Sequence, residues 1–489
     1  MSDYNFLMES RLSPEQMQVL NALGRIAASQ GLNLYLVGGA VRDLIHGQPV
    51  IGDLDFVVEG NPQRILRLLT AGGGAKRGSE AVASPAPKID GLAYDRRLDA
   101  AELHFANGVR AELAASRNEI YSRPGRPPDV QPASIFEDLR RRDFSANAMA
   151  VSLHPNSRGL LLDPTNGAAD IAQREFRVLT SRSFAEDPSR IYRLLRLGQR
   201  LDFKPEERTA GYLESALANR AWENLTPEQQ GIELRAILQE ENPARVLKMF
   251  VGRGLLRGLD RKLAATRIPY DRFARIRAAL RALPDADPFL LNFHCLVEKS
   301  GGQRVQLAKR ILPDARTVRA ALDLEREAKK LAHALGGGKA ARPSQVYTLL
   351  SGTPRHLILF LLVHYPQVKI QGRIKSFLSK FPQVRARLPR AELQALGVAP
   401  GPKFEKSLER IFLEQLDGKI KGHTQLLKEL RSLAGIKEPE PKPKPAEAKP
   451  ARPKPAKAKP TTAKPAPPKP AQPQPRAAKV VKSKKSRPK

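Results

Sequence analysis

The chain has 489 residues, with 83 Lys and Arg against 50 Asp and Glu, a formal net charge of +33 and a pI near 10.4. That length allows roughly two to four domains around a sizeable core, and the basic excess points to a polyanion partner, nucleic acid first and an anionic membrane surface second. A single cysteine, Cys295, excludes an intrachain disulfide, no apolar run approaches the ~18 residues of a membrane span, and MSDYNFLMES lacks the charged start and apolar core of a signal peptide, so a cytoplasmic protein without a membrane partner is expected.

The first 180 residues alternate helix and strand signals. Ser13-Pro14-Glu15-Gln16 is a capping box with proline at the first helical position, and it opens a helix that stops at Gly31. LYLV at 34–37 reads as a short buried strand, broken by Gly38-Gly39, after which AVRDLI begins a helix. LDFVV at 54–58 is the next strand, and Asn61-Pro62 caps another helix. Residues 70–100 are rich in Gly, Ala and Pro and read as loop; ELHFA and VRAEL, near 102–113, read as a hairpin turning at Asn107-Gly108. From 183 to 435 the pattern is almost wholly helical, with breaks at Pro205, Pro227, Pro243, Pro284 and Gly336-Gly337-Gly338. The last segment, 437–489, holds 15 prolines, 17 Lys and Arg and three Glu, and no aromatic residue. It cannot bury a core, so it is expected to be disordered or polyproline-like, suited to loose RNA binding or to keeping the protein soluble. The remainder is still basic without it.

Asp53 and Asp55 lie two apart, which on a strand places both carboxylates on one face. Such a pair suits Mg²⁺, which takes one or two carboxylates plus substrate phosphates; alone, it reads more readily as two solvated aspartates at a strand start. The Gly-Gly turn shifts the reading. Gly38 and Gly39 let the backbone approach a phosphate at a helix start, and Arg42 on the first turn can clamp a triphosphate. In EDPSRIYRLLRLGQRLDF, 186–203, Asp187 precedes Pro188 as a helix cap, and Arg190, Arg193 and Arg196 recur every third residue. By itself that row also fits a solvated basic helix.

VGGAVRD followed by DLD resembles the first motif of the tRNA nucleotidyltransferase and bacterial poly(A) polymerase family, whose head is polymerase beta-like. RRRDFSANAMA at 140–150 and RNEIYSRPG at 117–125 are similar to two further family segments. The resemblance implies Asp53 and Asp55 as catalytic ligands for two Mg²⁺ ions. It implies Arg142, Asp143 and Asn147 against the ribose and phosphates of the incoming nucleotide. Glu112, in AELAASR, stands where the family usually carries a third catalytic aspartate. The 186–203 segment resembles the family's base-recognition motif, which implies Asp187 and Arg190 as readers of cytosine or adenine in place of a template, with Arg193 and Arg196 on the same nucleotide-binding helix. NLTPEQQGIELRAIL at 224–238 resembles the neck helix, with Gln229 replacing the usual Arg. The expected fold is an α+β head with a small mixed sheet, followed by an all-α neck, body and tail. The expected divisions are a catalytic head over 1–150, a neck for nucleotide recognition over 151–255, a tRNA-binding body over 256–435 and a disordered tail over 436–489. The implied activity is template-independent addition of C and/or A to the 3′ end of tRNA from CTP and ATP. A poly(A) polymerase extending RNA, or a catalytically inactive RNA-binding relative, are the alternatives.

Overall fold

The computed structural model describes residues 4–70, 87–122, 128–265 and 267–436. The head begins with α1 (Tyr4–Arg11), α2 (Pro14–Ser29), β1 (Asn33–Val37), α3 (Gly39–His46), β2 (Leu54–Glu59) and α4 (Gln63–Thr70). It continues with β3 (Ile89–Asp95), β4 (Ala100–Phe105), β5 (Arg110–Ala115), β6 (Arg117–Ile120), β7 (Asp129–Pro132), α5 (Ile135–Arg140), β8 (Ala150–Ser152), β9 (Leu161–Leu162) and α6 (Gly167–Gln173). Seven strands form one mixed sheet in the order β3-β4-β5-β2-β1-β8-β9. Only β2 and β5 pair in parallel among them; the remaining neighbours are antiparallel.

Local chemistry sets most of these boundaries as the sequence predicts. The Ser13 capping box opens α2, and Gly31 leaves it with φ +63°. Asn61 Oδ1 accepts from the Gln63 amide at 2.8 Å and starts α4. The hairpin turns at Asn107-Gly108, with Gly108 at φ +86°. One expectation is corrected. Residues 89–95, read as loop, form edge strand β3, whose half-exposed side chains and irregularity near Gly91 hide the strand signal. The sheet takes its last two strands, β8 and β9, from residues 150–162. Residues 71–86 and 123–127 and the basic tail from 437 onward lie outside the described residues.

The strand period separates a core face from a site face. Leu34, Leu36, Leu54, Phe56, Val58 and Leu113 point into the main hydrophobic core, shared with α2 and α4. The opposite face carries a small cluster of Tyr35, Val37, Val57, Ile135 and Leu139 beneath α5 and, beyond it, polar positions. Glu59 joins strand to helix there: its carboxylate accepts from the Ile135 amide at 2.9 Å and from the Tyr35 hydroxyl at 3.2 Å.

After β10 (Glu175–Phe176) and α7 (Ser183–Glu186), α8 (Ser189–Leu201) crosses the site face of the head. β11 (Lys204–Pro205), α9 (Glu207–Ala218), α10 (Pro227–Gln239) and α11 (Pro243–Gly252) complete the neck. Pro227 and Pro243 sit in the first turn of their helices, where the missing N–H has no partner to lose. The remaining described chain is helical, including a long helix, Ala315–Gly336. Its core is continuous with that of the head, and a separate small cluster around Leu393, Phe404 and Leu408 closes the C-terminal end. Among the described residues no single helix is long and apolar enough to cross a membrane.

Candidate active site

A cleft of about 750 Å³ lies between the site face of the sheet and helices α8 and α10. It is lined by every residue that the sequence nominates: Gly38, Gly39, Arg42, Asp53, Asp55, Glu112, Arg142, Asp143, Asn147, Asp187, Arg190, Arg193 and Arg196.

The sheet wall is built by register. Asp55 is paired with Glu112 across the parallel β2–β5 edge and with Val37 across β1, so the two carboxylates share a face and Gly38 follows directly beside them. Gly38 has φ +69°, and a Cβ there would lie 3.0 Å from Arg142 Nη1 and 3.4 Å from Asp55 Oδ2. Both the backbone conformation and the space therefore demand glycine at this turn. Asp53, one residue before β2, is half-exposed, and the exposed Arg110 approaches it at 3.1 Å. Asp55 is recessed: burial, then the charge of Glu112, pushes its carboxyl up to about 7, against the pull of Arg142. Burial also raises Glu112.

Those carboxylates fit a hard divalent cation. No side-chain hydrogen bond reaches the Asp55 carboxylate among the described residues; burial, then the charges of Glu112 and Asp53, disfavours its ionised form, and a bound cation would offset both. No three His, Cys, Asp or Glu ligands converge among the described residues. An ion such as Mg²⁺ takes one or two carboxylates and completes its shell with substrate oxygens and water.

Charges on the nucleotide side are compensated within the protein. Arg42 is 3% exposed, donates to Asn147 Oδ1 at 2.6 Å and pairs with Asp43 at 2.7 Å. Asn147 donates to Asp143 Oδ1 at 3.0 Å, and Arg193 closes on Asp143 Oδ2 through two nitrogens at 2.9 and 2.8 Å. This relay ties α3 of the head to α8 of the neck. Burial raises the Asp143 carboxyl, but Arg193, Asn147 and Arg190 outweigh it and hold the group down to about 2. Within RRRDF, Arg140 is exposed and Arg141 and Arg142 both grip the fully buried Asp138. Arg142 also lines the cleft against Gly38.

Helix α8 starts as its proline suggests, with Asp187 extended and Pro188 already in a helical conformation. Asp187 still caps it: Oδ1 accepts from the Ser189 amide at 3.0 Å and the Ser189 hydroxyl at 2.7 Å. Asp187 Oδ2 lies 3.8 Å from Arg190 Nε. Arg190 is anchored by donating to Ser183 Oγ and to the Arg141 carbonyl oxygen, at 2.8 and 3.1 Å. The reading of the arginine row as a solvated face does not hold, since Arg190 and Arg196 are 7% and 8% exposed. Arg196 turns to α10 and its end, pairing with Glu240 at 2.8 Å and approaching Glu233 at 3.8 Å.

The sequence reading assigned no role to Arg117, Glu119 and Tyr121, which line the same cleft. Their alternation along and just past β6 was the available signal. Arg117 and Arg141 pair with Glu119 at 3.1 and 2.7 Å, Tyr121 donates to it at 3.0 Å, and the Arg190 guanidinium lies 6.0 Å from the Tyr121 ring.

Comparison with known proteins places the chain in a family. Residues 34–177 match the family model described as the poly A polymerase head domain. An A-adding tRNA nucleotidyltransferase of Halalkalibacterium halodurans is 29% identical over 88% of this chain and 96% of its own length. A solved CCA-adding enzyme in its apo form aligns at 27% identity over 88% of this chain and 98% of that one, with a TM-score of 0.48. A CC-adding tRNA nucleotidyltransferase of Deinococcus radiodurans is 30% identical over 87% of this chain and 96% of the relative. With a likeness that spans head, neck and body rather than the head alone, the chain belongs to the tRNA nucleotidyltransferase family.

Proposed function

We propose that this protein adds C and/or A to the 3′ end of tRNA, using CTP or ATP and releasing pyrophosphate. The observation that carries the reading is the cleft itself. It opposes an acidic sheet wall, suited to phosphoryl transfer, to a helix wall that offers one aspartate and one arginine to a base. In the reaction the RNA 3′-hydroxyl attacks the α-phosphate and pyrophosphate leaves in line. Asp53 and Asp55 would hold Mg²⁺, two ions in this reading, which when bound would supply the charge that favours the attacking hydroxyl and the leaving oxygens. Glu112 adds negative charge beside Asp55 on the same face. The Gly38-Gly39 turn admits the triphosphate close to the backbone, and Arg142 stands over it to meet its charge. Arg42, Asn147 and Asp143 position that pocket through their relay.

Asp187 and Arg190 read the base. A carboxylate oxygen accepts from the exocyclic amine of cytosine or adenine, and a guanidinium donates to a ring acceptor; uracil has no such amine. The basic helical body grips the tRNA through phosphates and shape, so binding falls steeply with salt. The tail from Lys437 extends this contact to other RNA, and the site of action is the cytoplasm.

Purified protein is tested with three tRNA transcripts ending at the discriminator base, at C and at CC, each with CTP, ATP or both. Growth to CCA and arrest identifies a complete enzyme. Addition of A to the CC transcript alone, or of CC to the bare one, identifies a specialist. Long oligo(A) ladders would replace this reading with poly(A) synthesis, and absence of any product with an RNA-binding role.

A further inference from the structure

Gln229 is held by both ends of its amide. It is the third residue of α10, and its Oε1 accepts from the Thr226 backbone N–H at 3.0 Å while its own backbone N–H donates to Thr226 Oγ1 at 3.2 Å. Because the amide oxygen is committed to an N–H, the amide nitrogen has one direction left. It donates to Asp187 Oδ1 at 3.2 Å, across from α10 to the start of α8. With the Ser189 amide and hydroxyl, this makes three donors on Oδ1 and fills it. Oδ2 receives no hydrogen bond among the described residues; its nearest donor is Arg190 Nε at 3.8 Å, beyond bonding range. Asp187, Arg190 and Gln229 all line the cleft.

We infer that Gln229 is a positioning residue for base selection, which saturates one oxygen of Asp187 with a neutral donor and so leaves the other aimed at the incoming nucleobase. The amide holds the Asp187 rotamer through Oδ1 and leaves Oδ2 open to the cleft. The ligand this arrangement selects is a nucleoside triphosphate whose base presents an exocyclic amine. The inference rests on Asp187 as the base reader.

The test uses the full chain and a tRNA transcript, and measures kcat and KM for the accepted nucleotide and for UTP, with melting temperature alongside. Gln229→Met, uncharged and of similar length, removes the donor to Asp187 together with the side chain's half of the cap. It is expected to raise KM for the accepted nucleotide and to lower preference over UTP, each by about tenfold, as for a lost hydrogen bond to a charged group. Gln229→Glu keeps a preferred capping residue but sets a second carboxylate beside Asp187, and is expected to shift KM and selectivity in the same direction and at least as far. Thr226→Ala removes the cap and spares the Asp187 contact; it is expected to lower the melting temperature by about 1–3 °C with selectivity within about twofold. The inference is overturned if both Gln229 variants keep the parent KM and preference, or if Thr226→Ala reproduces their effect. If Asp187→Ala itself keeps full selectivity, the base-reader assignment fails and takes this inference with it; loss of selectivity in Asp187→Ala alone leaves Gln229 refuted by itself.

Discussion

The two walls of the cleft solve opposite electrostatic problems. On the sheet wall, strand register sets Asp55 beside Glu112 with Asp53 just before the strand, and the one close ion pair on them among the described residues, from Arg110, is solvent-exposed. Facing it, several charges are paired inside the protein: Asp143 with Arg193, Asp138 with Arg141 and Arg142, Arg196 with Glu240. Uncompensated charge is a cost to folding that a bound cation and triphosphate can relieve, so the sheet wall is where chemistry is expected. Compensated charge fixes side chains in place, so the helix wall is where recognition geometry is expected.

The contrast breaks most sharply under substitution of Asp55. Asp55→Asn is expected to lower turnover about a thousandfold or more, several kcal/mol of transition-state stabilisation. It is also expected to raise the melting temperature of metal-free protein at alkaline pH. Burial holds the folded carboxyl up at about 7, above its unfolded value, so Asp55 is harmless to the fold below about pH 4; its cost grows as pH rises from about 4 to 7 and is constant above that. Melting curves in chelator from pH 4 to 8 should show the variant's advantage growing up to about pH 7 and then levelling off; equal curves throughout would place compensating charge that the cleft does not show.

Asp143→Ala should do the reverse. It leaves the half-exposed Arg193 and the buried Asn147 without their shared acceptor and is expected to cost about 1–3 kcal/mol of stability, read by denaturant unfolding. Its effect on nucleotide KM should exceed that on kcat in whatever fraction stays folded. Selectivity is the next target: Asp187→Ala is expected to lose about tenfold or more of the preference for CTP and ATP over UTP, with metal binding unaltered by calorimetry. The smallest effect belongs to Arg110→Ala. An exposed pair of this kind is worth less than about 1 kcal/mol, so a melting shift beyond about 2 °C would show that Arg110 holds more than Asp53.

Much of the site was legible in order along the chain. Gly38-Gly39, the Asp53/Asp55 pair and Asp187 before Pro188 each carry local chemistry: a positive φ, a strand period, a cap. The same local rules placed the Asn107-Gly108 hairpin and the prolines that open α10 and α11. Edge strand β3 was not legible, because an exposed, glycine-containing strand has no apolar alternation to display.

The sequence by itself determined which residues could bear charge, turn the backbone or start a helix, since those properties depend on a few neighbouring atoms. It did not determine that Asp55 would stand opposite Glu112, that Arg196 would face away to Glu240, or that Gln229 would reach Asp187, 42 residues back along the chain. Those facts depend on sheet register and helix packing. A one-residue slip of β5 against β2, or a different crossing of α8 over α10, would keep every local signal and dissolve the cleft.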